Sequence, residues 1–580
     1  MNVCLRSDKS RVIKAVGLWL QTIHSLARYS VMKSIYLKLG LIPLAICLAF
    51  AACQISCSSK PDIVAHHQVQ MPVEYPTTAS DTLKKLSSHV PADSQMLAFG
   101  SYGSLTEAIA TFRKWKLVND SEVENLLKDL GTHYLLNPGK LESWFKAGFH
   151  TGSGFVAGYR EQSAFIVLDI IDPDAFKSWW DNFLNEEFGR PRYAEEQADG
   201  SHYIKIHILN RDFATMIYAG DQPVTLVFGE GIIAGSPDSF EAAKKIYAAG
   251  KIQNDDFQNI TKNLKKKPVA LWIDGSAPVL DKIPQKFDSL KDWCDAASVE
   301  FSFADNGPDV RVSCPWSNTN FMDKPRGKFL SSLVDGNNGN RANAILKSNP
   351  SSAFRVLINP EAIEPLVLQK ASQSQREQYD ALKDKLTQRL IKLNVTEQII
   401  YNMGAAWAVI YDVTLPPVQN PTLKEILTAQ NAALFIPFRD AEKSNGFFAK
   451  VNIIKKFVPE DKAVIDLEDE ILHAKVKYDN QIIHVGYRNG LLAVSTDSAW
   501  NHIPDILNSG KDPDAGTSLA KDTNAIAGRV RVSDMTTLLG IRFAIIKEQI
   551  GNFLSPFDYF EFQASTDKEM FECSAQGVLK

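Results

Sequence analysis

The stretch "GEGIIAGSPDSF" at residues 229–240 is echoed by "RNGLLAVSTDSA" at 488–499, and this echo constrains the fold more than any other feature. At one constant spacing Gly231 meets Gly490, Ile232 meets Leu491, Ile233 meets Leu492 and Ala234 meets Ala493. Ser236, Asp238 and Ser239 meet Ser495, Asp497 and Ser498. The same spacing sets Val224 against Ile483, Leu226 against Val485, Phe228 against Tyr487, Leu271 against Val530 and Pro91 against Pro350. With small gaps, "GSGFVAGY" (152–159) resembles "GAAWAVIY" (404–411), and "AFIVLDIID" (164–172) resembles "ALFIPFRD" (433–440). The order of matches is the same in both halves. A repeat of roughly 240 residues is far longer than the period of a solenoid, so it reads as two whole domains. The expectation is a first module over 83–320, a linker over 321–339 and a second module over 340–580.

Within each half the pattern reads as an α+β fold: a mainly antiparallel sheet with helices packed on one face. Runs such as "MLAFGSY", "GFVAGY", "AFIVLDI", "HYIKIHIL" and "PVTLVFG" carry strand composition, and turn residues separate them. Asp172-Pro173 opens a helix, with proline at its first position. That helix sets Phe176, Trp179, Trp180, Phe183 and Leu184 on one apolar face, a core pattern rather than a ligand cage. "GIIAGS" reads as a further strand ended by Ser236, Ser495 stands likewise at the end of "GLLAVS", and both serines are predicted to cap the helices that come next. A nucleophilic serine is the other reading of such a turn. However, "AGSPD" lacks the G-x-S-x-G elbow, because Ile233 and Pro237 stand where glycines belong.

The N-terminal region speaks of export. Lys33 and Lys38 precede an unbroken apolar run from Gly40 to Ala52, and Cys53 follows. The run is shorter than the about 20 residues a membrane-crossing helix needs, and it suits a signal-peptide core. "FAAC" at 50–53 resembles the lipobox of bacterial lipoproteins. That resemblance implies cleavage before Cys53 and acylation of Cys53. Gln54 after the cysteine implies sorting to the outer membrane. Several acyl chains hold a protein stably, since each buried CH₂ contributes about 0.8 kcal/mol. The expected layout is an extension over 1–31 ahead of a true start at Met32, a signal peptide over 32–52 and a proline-rich tether over 53–82. The proline-led first strand, the block "GYREQSAFIVLDIIDPDAF" (158–176) and the closing "GIIAGS" resemble uncharacterised duplicated envelope proteins of bacteria, a likeness that adds little about role and carries over no functional residue.

Charge and motif content narrow the chemistry. The chain has 63 Lys and Arg against 67 Asp and Glu, which leaves no strong field to attract nucleic acid. None of the 11 histidines falls in H-E-x-x-H, and no Cys/His spacing suits zinc. Phosphate-binding and dinucleotide-binding glycine loops are missing from the sequence. No cofactor, metal or catalytic residue is therefore expected. Of the cysteines in the body, Cys294 and Cys314 are the candidate disulfide in an exported protein. The expected function is that of a non-catalytic envelope lipoprotein, structural or protein-binding, with the membrane and other envelope proteins as partners. A carrier of hydrophobic ligands and a cryptic cell-envelope hydrolase are the alternatives. A polar cluster in one half, missing from the other, would favour the hydrolase.

Overall fold

The computed structural model describes most of residues 78–275 (115–135 and 219–222 excepted), together with 296–304, 307–315, 342–361, 372–378, 396–413, 430–454, 463–468, 471–478, 481–509, 524–534, 555–566 and 570–580. The chain divides into two compact units, Met1–Asp305 with Val312–Ser317, and Asn306–Arg311 with Asn318–Lys580. Among the described residues no helix is long and apolar enough to cross a membrane. Cys53, Cys294 and the linker 321–339 lie outside the described residues.

Unit 1 begins earlier than expected, with helix α1 at Ala79–Leu86 rather than a tether reaching residue 82. Its cause is local. The Thr78 hydroxyl accepts from the Asp81 backbone N–H at 3.2 Å and donates to the Asp81 carboxylate at 2.6 Å, so the orphan first turn is capped. Then come β1 (Met96–Ser101), α2 (Tyr102–Lys114), α3 (Leu141–Lys146), β2 (Gly154–Arg160) and β3 (Ser163–Leu168). Next are α4 (Pro173–Phe188), β4 (Arg192–Ala198), β5 (Ser201–Ile208), β6 (Arg211–Tyr218) and β7 (Val224–Phe228). After these follow α5 (Ser239–Ala248), α6 (Asn254–Thr261), β8 (Val269–Asp274) and β9 (Ala296–Ala304); β10 (Gly307–Pro315) comes next in the chain and is shared between the two units, which divide it after Arg311. The sheet runs β9-β8-β1-β2-β3-β7-β6-β5-β4, antiparallel throughout.

Helices cover both faces of this sheet, which corrects the one-face expectation. On one side Leu83 of α1 and Phe240 and Ile246 of α5 pack against Val156, Phe165 and Tyr203. On the other, Phe176, Trp180 and Leu184 of α4 pack against Phe155, Leu168 and Leu226. The reason lies in the connections: β1 reaches β2 through α2 and α3 and β3 reaches β4 through α4, while α1, α5 and α6 lie on the opposite side. Every residue of β1 and of β7 is consequently buried. As the sequence predicts, Asp172 caps α4 by accepting from the N–H groups of Asp174 and Ala175, with Pro173 at the first position.

Unit 2 holds α7 (Ala342–Lys347), β11 (Ser352–Leu357), β12 (Ala405–Asp412), β13 (Asn431–Pro437), α8 (Ala441–Ile454), β14 (Ala463–Glu468) and β15 (Ile471–Tyr478). It continues with β16 (Gln481–Arg488), β17 (Leu491–Thr496), a 3₁₀ turn (Asp497–His502), α9 (Ile503–Asn508), β18 (Asn524–Arg531), β19 (Phe557–Thr566) and β20 (Met570–Leu579). Its antiparallel order is β20-β19-β18-β11-β12-β13-β17-β16-β15-β14. From β8 to β4 in unit 1, each strand has a counterpart at the same place in this order. Ala353, Trp407, Val409, Phe435 and Ile503 form a core on one face. The other face alternates out of it: Phe354, Ala408 and Leu434 are exposed, and Val356, Ala406, Ile410, Ile436, Leu492 and Val494 are half-buried.

The echo that first suggested the repeat is not conformational. In strand order β7 corresponds to β17, yet the constant sequence spacing sets β7 against β16. "GIIAGS" is a turn-rich loop after β7, whereas "GLLAVS" contributes strand β17. Asp212 on β6 explains the loop. Its carbonyl accepts from Gly231 N–H at 2.7 Å, and its carboxylate accepts from the Ser239 N–H at 2.7 Å and hydroxyl at 2.6 Å. The loop passes so close to Asp212 that side chains at Gly229 and Gly231 would collide with it.

Candidate functional site

A row of buried polar side chains lies in the core of unit 2. Lys475 pairs with His484 across β15 and β16, and His473 pairs with Gly486. Period-2 alternation therefore puts His473 and His484 on one face, diagonal to each other. His473 Nε2 and His484 Nδ1 are 2.9 Å apart, and His484 Nε2 is 2.7 Å from Asp497 Oδ1. With Asp497 ionised, its carboxylate accepts from His484 Nε2–H. His484 Nδ1 then carries a lone pair and accepts from His473 Nε2–H.

Trp500 forms the lid of the row, stacked 4.2 Å from His473 and 5.0 Å from His484. Gly486 makes the room: a Cβ there would meet the Trp500 ring at 2.7 Å and Leu507 at 2.8 Å. Both imidazoles are buried, at 4 % and 2 % exposure. The Asp497 side chain is 65 % exposed, so one end of the row reaches solvent and the other ends under the sheet.

Unit 1 fills the same places differently. Lys205 pairs with Thr215 on β5 and β6, so Thr215 takes the place of His484 and Tyr203 that of His473. The Thr215 hydroxyl is 2.7 Å from that of Ser239, which donates to Asp212. Tyr203 packs edge-on against Phe240 at 5.4 Å. The hydroxyls of this cluster do not titrate near neutral pH.

Neither serine expected to be a cap is one. Asp238 caps α5, accepting from the N–H groups of Phe240 and Glu241 at 3.1 Å, while the Ser236 hydroxyl has no hydrogen-bond partner among the described residues. Pro237 carries the chain two residues further before the helix starts, so the shorter reach of Ser236 falls outside it. In unit 2 the 3₁₀ turn follows β17 directly, with Thr496 at its N-cap and no side-chain cap bond. Ser495 is thus still a strand residue, paired with His484 and 3 % exposed, and its hydroxyl has no partner among the described residues. Both His484 nitrogens are engaged with His473 and Asp497. They leave none to take a proton from Ser495, so a serine–histidine nucleophile is not assembled. Cys314 is buried on β10.

No motif contains His473, His484 or Asp497, so motif searching passes over them. Hairpin arithmetic would have found them: with the turn near residue 480, the two histidines fall on one face of the hairpin.

No protein-family model matches the chain, and no curated protein matches it. Among solved structures it is similar to TP0453 in crystal form III, with TM-score 0.25, 10 % identity and coverage of 40 % of this chain and 80 % of that one. Crystal form IV gives TM-score 0.24 and 10 % identity, covering 41 % and 85 % of the two chains. Crystal form I gives 0.23 and 9 %, covering 40 % and 77 %. Likeness at this level carries no argument about role.

Proposed function

We propose that this chain is a non-catalytic lipoprotein of the bacterial cell envelope, anchored in the outer membrane by acylated Cys53, in which two related modules serve protein binding. The lipobox-like "FAAC" supports the anchor. The common strand order of the two sheets, together with the repeated sequence blocks, supports descent of the modules from one copied ancestor.

One observation carries the binding role: the second face of the unit 2 sheet exposes Phe354 at 41 % and Leu434 at 38 %. Contiguous exposed apolar surface marks an interaction site. In unit 1 the corresponding face is sealed by the amphipathic α4. The chemistry that fits the open face is therefore an amphipathic helix, supplied by another envelope protein. The cluster found in only one unit does not favour the hydrolase, because its histidines are buried and already paired with each other and with Asp497.

A photo-crosslinking residue in place of Leu434, in the full chain in its native envelope, tests this reading. Adducts to a second protein support it. Crosslinks confined to this chain's own residues 362–395 overturn it. Mass spectrometry of the mature N-terminus tests the anchor separately, and an unmodified Cys53 defeats it.

A further inference from the structure

The histidine row has no part in the binding face, and its geometry gives it a property that its unit 1 counterpart lacks. We infer that His473, His484 and Asp497 form a pH-sensitive clamp, which fastens the β15–β16 hairpin to the 3₁₀ turn 497–502 at neutral pH and releases it in mild acid.

The inter-ring contact of 2.9 Å joins two nitrogens, so one of them must be without a proton. One imidazolium ring is compatible with this contact, since a single N–H can still lie between the two nitrogens. With both rings protonated, both of these nitrogens carry a proton. Two N–H groups then point at each other across 2.9 Å, and two imidazolium rings 5.1 Å apart share one Trp500 face. The clamp cannot hold in that state. An unfolded histidine takes its proton near about pH 6.5, so in mild acid the open hairpin binds more protons than the closed one. Stability of the closed form therefore rises with pH and falls on acidification.

The surrounding charges do not remove this conflict. Asp466 on β14 holds the register position opposite His473, and Lys475 that opposite His484. Arg488 shares the face on β16, where Asn508 engages it, and β17 contributes the uncharged Ser495. Asp497 and His502 lie on the 3₁₀ turn, and Asp505 on α9. The Asp497 carboxylate lies on the other nitrogen of His484 and supplies no acceptor between the rings. In unit 1 the equivalent Tyr203, Thr215 and Ser239 carry no group that titrates between about pH 5 and 8.

Hydrogen exchange on the full chain, corrected for intrinsic rates, at about pH 7.5 and about pH 5.5, tests the clamp. Amide protection in β15 and β16 is expected to fall at least about tenfold on acidification, while that in β5 and β6 changes less than about twofold. In His473→Gln the amide N–H can still donate to His484 Nδ1 and one titrating ring is gone, so the acid-induced loss in β15 and β16 shrinks to about twofold or less. An unchanged β15–β16 hairpin, an equal loss in both hairpins, or a full loss retained in His473→Gln overturns the proposal.

Discussion

The two sheets follow one strand order and differ in how they are sealed. Unit 1 buries whole strands, β1 and β7 among them, because helices lie on both faces. In unit 2, β12 alternates strictly, with Ala405, Trp407, Val409 and Tyr411 buried and Ala408 and Asp412 exposed. Strand order therefore does not determine layer count; the connections do. In unit 1 the β3–β4 connection lays four buried residues on the sheet through Phe176, Trp179, Trp180 and Leu184. Its unit 2 counterpart, α8, buries Ser444 and leaves Glu442, Lys443 and Asn445 exposed.

This contrast predicts its largest effect in paired truncations. Phe165→Ala removes a ring that is 0 % exposed and is expected to cost about 3–5 kcal/mol in urea unfolding. Phe354→Ala removes one at the open face and is expected to cost under about 1 kcal/mol. Equal costs would mean that the unit 2 face is sealed after all, and the comparison would collapse.

A second test concerns the space under Trp500. Gly486→Ala places a methyl group against the indole and Leu507, which overpacks the unit 2 core by about 1–3 kcal/mol. Trp500 should also leave the histidines, read as a shift in its ring-current effect on their NMR signals. Gly250→Ala in unit 1 is the control, since a Cβ there meets nothing within 4 Å.

How far the sequence reveals this depends on the range of the force involved. Local signals translate directly: Asp172-Pro173 caps α4, and the aromatic face of that helix is core. Apolar strands such as "GFVAGY" and "AFIVLDI" are legible for the same reason. Layer count is not, because "AFIVLDI" predicts burial on both faces without saying which helix supplies each. The loop at 229–238 defeats sequence likeness outright. Its glycines and apolar residues read as a strand, but Asp212, distant in sequence, ties the backbone back and hands the cap to Asp238. The histidine row was hidden because its partners come from two strands and a turn. Only the register joins them, and register is a tertiary property.

Caps give a smaller contrast. Asp238→Ala is expected to cost about 1 kcal/mol, because two N–H groups at the start of α5 lose their acceptor. Ser236→Ala is expected to stay within about 0.5 kcal/mol, since its side chain caps no helix. A large loss in Ser236→Ala would restore the serine cap that the sequence suggests.

The smallest expected effect is electrostatic and belongs to unit 1. Arg160 grips Asp93 with two hydrogen bonds, of 2.6 and 2.8 Å, and these hold the Asp93 carboxyl below the usual carboxylate range. A carboxyl with a depressed folded value binds fewer protons when folded, so its contribution is complete above the unfolded value and is lost as pH falls through the folded one. Asp93 is 58 % exposed, and solvent screening limits the pair to under about 1 kcal/mol. Asp93→Asn should therefore lower stability slightly at neutral pH and lose that difference in strong acid, well below the range where the histidine clamp of unit 2 acts. Urea midpoints across pH separate the two: an Asp93→Asn difference that fades already in mild acid would place the carboxyl outside the Arg160 grip.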